Sequence, residues 1–130
     1  MMIGKCGRVP STPDRRSAWF GRYLDARAYD MPAPFGDWTG TSDYGWFAND
    51  RVGNCTFASL ARMIQQRAAL RAERSLITDD TVIRSYSAVT GFELGKPETD
   101  RGGQMLDALK HVRKHGLGPR KITAFMRVNV

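Results

Sequence analysis

The chain has 130 residues and a mass of 14.6 kDa, which at roughly 150 residues per domain allows one domain. Hydrophobic residues make up 42% and charged residues 25%, so disorder throughout is excluded, and no apolar run approaches the ~20 residues that span a bilayer. Twenty Lys and Arg against 13 Asp and Glu leave a net charge of +7 and a pI near 9.9.

The charge is uneven along the chain. Seven basic residues face six acidic ones up to Asn54, and 13 face seven from Cys55 onward. The surplus is mostly Arg on segments that read as helices. A solvated helix face accounts for it, with an acidic partner as the alternative. No RNA-binding aromatic signature or zinc-finger spacing accompanies the charge, so nucleic acid is only weakly supported. The first residues, Met1 to Lys5, lack the apolar stretch of a secretory signal. Two cysteines, Cys6 and Cys55, are too few for a disulfide framework and suit a reducing compartment. Their separation is too long for a zinc finger. No metal or cofactor is expected.

Residues 1–45 read as an extended arm. Pro10, Pro13, Pro32 and Pro34 break long regular elements, and Ser17 to Ala28 has room for one short helix with Trp19 and Tyr23 inward. The arm and the residues after it are dense in rings: Trp19, Phe20, Tyr23, Tyr29, Phe35, Trp38, Tyr44, Trp46 and Phe47. Such rings pin an arm to a core, or line a binding groove. A helix is expected over 55–74, because Phe57, Leu60, Ala61, Ile64 and Ala68 recur at helical spacing. A second is expected over 79–90, capped by Thr78, with Asp79 and Asp80 in its first turn. Val82, Tyr86 and Val89 face inward, and Gly91 is the stop. Residues 93–103 read as a loop. A third helix is expected over 104–115, with Leu106, Leu109 and Val112 inward and His111 and His115 on the solvated side. The segment Lys121 to Val130 alternates through Ile122, Ala124, Met126 and Val128, the pattern of a strand. A lone strand leaves its backbone unpaired, so this one calls for a partner that the chain does not obviously supply.

The chemically suggestive stretch is Asn49-Asp50-Arg51-Val52-Gly53-Asn54-Cys55-Thr56-Phe57-Ala58. Cys55 falls at the start of an amphipathic helix. There the unpaired amides and the helix dipole favour a thiolate, the nucleophilic form. The Cys55 amide and the side chain of Asn49, six positions upstream, are candidates for holding an oxyanion. The plain alternative is a packed, inert cysteine. Gly102 and Gly103, side-chain-free before the third helix, suit close approach of an extended peptide, or simply a helix-starting turn.

These residues resemble the nucleophile segment of papain-like cysteine peptidases, and more narrowly a bacterial and phage group with an Asn-Asp-x-x-Gly-Asp-Cys-Thr segment. Asn54 replaces the usual Asp. Tyr86, Thr90-Gly91, Asp100-Arg101-Gly102-Gly103, Leu106, Leu109 and Lys121 to Phe125 are similar to the same group. The resemblance implies an α+β fold, the helical left half of the papain architecture over 46–130, with three helices and a C-terminal strand lacking its sheet. It implies Cys55 as nucleophile, Asn49 as oxyanion donor, and Gly53, Asn54, Gly102 and Gly103 along the substrate. The family's His lies roughly 130–150 residues after the cysteine, whereas 75 residues follow Cys55 (130 minus 55). The expectation is therefore a peptidase-related protein acting on a peptide or protein, inactive as these 130 residues alone. The alternative is an interaction module that docks to protein subunits of a phage particle. The corresponding locations are the bacterial cytoplasm or the virion.

Overall fold

The computed structural model describes residues 8–12, 14–22, 45–74 and 77–127. Among them are three α-helices and a two-stranded parallel sheet, a mixed α+β arrangement.

Helix α1 (Cys55–Ala69) buries Phe57, Leu60, Ala61 and Ala68, the stripe its spacing demands, with Ile64 half-buried beside them. It ends five residues before the expected Arg74. Ala72 turns left-handed at φ 52°, the Glu73 amide donates to Ala68 O at 2.8 Å and the Ala72 amide to Ala69 O at 2.9 Å. That pair of bonds is a Schellman closure formed without glycine. Helix α2 (Asp79–Thr90) matches its expected bounds. The Thr78 hydroxyl accepts from the Thr81 amide at 3.3 Å, and Gly91 closes the helix at φ 74°. Helix α3 (Met105–Lys114) has no side-chain cap and ends against His115.

The three helices pack on one another around aromatic rings. Phe57 of α1 meets the Tyr86 ring of α2 edge-on at 6.3 Å, and Tyr86 meets Phe92 at 5.3 Å. The inward face of α3 carries Val112 and Leu109 as expected, Leu109 packing half-buried against the core, and is centred on Ala108. Ala108 and Val112 are fully buried, whereas Leu106 and Leu109 are half-buried and line a cavity of about 490 Å³ against Pro10, Thr12 and Phe125. The small Ala108 side chain lets α3 approach the other helices closely, and Leu109 packs both on the core and along the cavity beside the arm. His111 is consequently not solvated as expected. Its ring lies edge-on to Phe57 at 5.9 Å, and burial, then the neighbouring His115, hold its pKa below the usual imidazole value.

The sheet arises where no strand signal is present in the sequence. β1 (Arg8–Val9) runs parallel to β2 (Gly103–Gln104), with Arg8 opposite Gly103 and Val9 opposite Gln104. The arm is tied further by Lys110 Nζ donating to Asp14 Oδ2 at 2.8 Å. Arg16 first, then Lys110, hold the Asp14 carboxyl well below the usual carboxylate range. The expected C-terminal strand is not formed over 121–127. Arg127 makes a single parallel bridge to Trp19, its amide donating to Ala18 O and its carbonyl accepting from the Phe20 amide, both at 2.9 Å. Ile122 and Phe125 are half-buried while Ala124 and Met126 are exposed, so the alternation is not realised. Without a neighbouring ladder, alternating residues have no face to share. Of the short helix expected over 17–28, the described part is a 3-10 turn at Phe20–Arg22. Tyr23, Tyr29, Phe35, Trp38, Tyr44, Cys6 and residues 128–130 lie outside the described residues.

Among the described residues, no helix is long and apolar enough to cross a membrane.

Candidate functional site

The segment before α1 is held by an unusual turn. The Asn49 amide donates to Trp46 O at 3.0 Å, and both central residues, Phe47 (φ 53°) and Ala48 (φ 61°), are left-handed. For L-residues that conformation costs roughly 1–2 kcal/mol each. Both side chains are buried, at 3% and 0% exposure, which offsets the strain by packing. Asn54 secures the turn from the other side. It sits at the N-cap of α1, yet its side chain makes no capping bond; its Nδ2 donates to Phe47 O at 2.8 Å.

Cys55 is therefore the first residue of α1, half-exposed and with a free thiol. The Asn54 carbonyl accepts from the Phe57 and Ala58 amides. The amides of Cys55 and Thr56 have no acceptor among the described residues, as expected for the first turn of a helix without a side-chain cap. Two N–H groups are thus left to meet an anion. Asn49 is half-buried at the end of the left-handed turn, and its side chain makes no hydrogen bond among the described residues.

A partly buried network joins this corner to the glycine pair. Asp100 Oδ2 accepts from the Gly53 amide at 2.8 Å, and Asp100 Oδ1 accepts from the Tyr86 hydroxyl at 2.6 Å. The Tyr86 oxygen in turn accepts from the Gly102 amide at 3.0 Å. One carboxylate thus sets the loop before Cys55 relative to the strand that opens α3. Burial first, then the adjacent Asp100 carboxylate, push the Tyr86 phenol up to about 12. Gly103 is buried between helices. A Cβ there would stand 3.3 Å from Thr90 Cγ2 and 3.4 Å from Thr56 Oγ1. A hydrogen at this position allows β2 to lie against both α1 and α2.

The sequence-derived residues separate accordingly. Gly53 and Gly102 meet through Asp100 and Tyr86. Gly103 pairs with an extended segment, and that segment is the chain's own Arg8–Val9. Asn54 is completely buried and serves the turn. Its Oδ1 and the Thr56 hydroxyl are buried without a hydrogen-bond partner among the described residues. His111 and His115 stack on each other at 5.0 Å, and no cluster of three metal-ligating side chains occurs among the described residues. No hydrogen bond joins Cys55 to an imidazole among those residues.

Asp100 and the Phe47-Ala48 turn have structural roles that the sequence did not reveal. The turn carries no sequence signal, since nothing about Phe or Ala announces a positive φ. Asp100 had one. Tyr86 lies on a buried stripe, and a buried phenol needs a hydrogen-bond partner. Searches with the chain return no matching family model, curated protein or solved structure.

Proposed function

We propose that the chain is the cysteine-bearing half of a papain-like thiol hydrolase, with Cys55 as nucleophile toward an amide carbonyl. The observation that carries this reading is the bonded link from the Cys55 loop to the glycine pair, Gly53 to Asp100 to Tyr86 to Gly102. It couples a half-exposed thiol at a helix start to an edge able to hold an extended chain. An inert packed cysteine needs no such link.

In this reading the Cys55 sulfur bonds to the carbonyl carbon, and the carbonyl electron pair moves to oxygen. The free amides at the head of α1 and the Asn49 side chain stabilise that oxyanion. An imidazole first takes the thiol proton; collapse expels the amine, which takes that proton from the imidazolium, and water then hydrolyses the thioester to release the carboxylic acid and regenerate the thiol. The imidazole and its orienting group come from additional polypeptide, because His111 is packed on Phe57.

That packing also favours a second reading, an interaction module of a phage particle that keeps the half-fold without catalysis. Alkylation separates the two. At pH 6, iodoacetamide is expected to label Cys55 far faster than Cys6, and Cys55→Ser to abolish the fast phase. Equal, sluggish labelling of both thiols would rule out the hydrolase reading and leave the module.

A further inference from the structure

We infer that the groove between the C-terminal half of α1 and residues 120–124 is a docking site for an extended acidic peptide, because an apolar floor, unopposed cations and an unpaired backbone meet there. The groove encloses about 550 Å³. Ala68 is buried and Ile64 and Ile122 are half-buried on its floor, and Met63 stands 60% exposed at its side. Four cations line it, Arg67, Arg71, Arg120 and Lys121, against one carboxylate, Glu73. Glu73 is taken by Arg120. Arg67 and Arg71 make no ion pair among the described residues, and Lys121 Nζ donates only to Lys114 O.

The second wall supplies main-chain groups. Arg120 O is used in a turn with the Leu117 amide, and Arg127 is used in its bridge to the arm. Between them, the amides and carbonyls of Ile122, Thr123 and Ala124 make no hydrogen bond among the described residues. Unpaired backbone of this kind accepts an added strand. In such a strand side chains alternate, so one set meets the Ile64-Ala68-Ile122 floor while the other reaches Arg67, Arg71 and Lys121. Complementary charge therefore selects an alternating apolar and acidic sequence. The lining has no aromatic ring on which a base would stack, which disfavours single-stranded nucleic acid. A second copy of this chain brings the same surplus of +7 and is repelled.

Fluorescence anisotropy with the full chain and a labelled peptide alternating valine and glutamate tests this directly. Saturable binding is expected, weakened roughly tenfold in the Arg67→Glu, Arg71→Glu double variant. Arg84→Glu, on the solvent face of α2, is expected to leave it unchanged. The same peptide methylated on alternate backbone nitrogens keeps its charge but loses the ladder, so it should also bind more weakly, a comparison that needs no variant protein. No saturable binding at millimolar peptide, equal binding by the double variant, or an equal loss in Arg84→Glu would overturn the proposal. So would displacement of the peptide by a lower concentration of thymidine oligonucleotide, or a dimer in sedimentation that the double variant dissolves.

Discussion

The Cys55 corner and the arm are both assembled from residues far apart in sequence, yet they are bonded differently. At the corner, side chains at the helical core do the joining: fully buried Asn54 to Phe47, and half-buried Asp100 to both Gly53 and the buried Tyr86. Along the arm, residues 8–12 and 14–22 are held by short backbone pairings and by Lys110, whose side chain is 41% exposed, with Asp14. Buried polar bonds resist change because breaking one leaves its partner without water. Exposed pairs exchange with solvent at little cost. The corner is therefore preorganised, and the arm is exchangeable.

The largest test of that contrast is Tyr86→Ala. It removes a ring packed against Phe57 and Phe92 and strands Asp100, so a loss of about 4 kcal/mol is expected in urea denaturation. Asp100→Ala should cost about 3 kcal/mol, since the Gly53 amide and the Tyr86 hydroxyl both lose their acceptor. If the network also positions the nucleophile, alkylation of Cys55 slows in this variant under conditions where it remains folded.

Alkali probes the same network without mutation. The Tyr86 phenol is raised in the fold from 10.0 to about 12, so its contribution to stability is intact below pH 10 and is lost as pH climbs toward 12. Denaturation midpoints followed across that range should fall in the parent, with a shallower fall in Tyr86→Phe. Gly103→Ala follows, at about 1–2 kcal/mol, because its methyl would crowd Thr90 and Thr56. The smallest effect is on the arm. Lys110→Ala should change global stability by less than about 0.5 kcal/mol, as measured by urea midpoint. A large loss there would erase the distinction between the two regions.

Sequence pattern revealed the helices well, where local signals agree. The Thr78 cap, the Asp79-Asp80 pair and the Gly91 stop bound α2 without ambiguity. It failed where tertiary partners decide. The end of α1 depends on Ala72 adopting a left-handed conformation, and no glycine marks it. The face of α3 is centred on Ala108, which a pattern of large apolar side chains does not single out, although smallness is what permits helices to touch. The two strands are a pair of residues each, and their pairing spans almost the whole chain, beyond the reach of any local periodicity. At the candidate site, Cys55 at a helix start was legible. The carboxylate that connects its loop to the glycine pair was legible only as a partner the buried Tyr86 phenol requires, because no spacing rule singles out Asp100.

If the hydrolase proposal holds, the parallel pairing of Arg8–Val9 with Gly103–Gln104 places a tethered competitor on the edge that its substrate chain would use. A segment joined covalently to its own receptor behaves as though present at roughly millimolar concentration. Any free peptide recognised by that edge must outbid this local excess, so shortening the first dozen residues should sharpen apparent affinity there even if no contact to the peptide is altered.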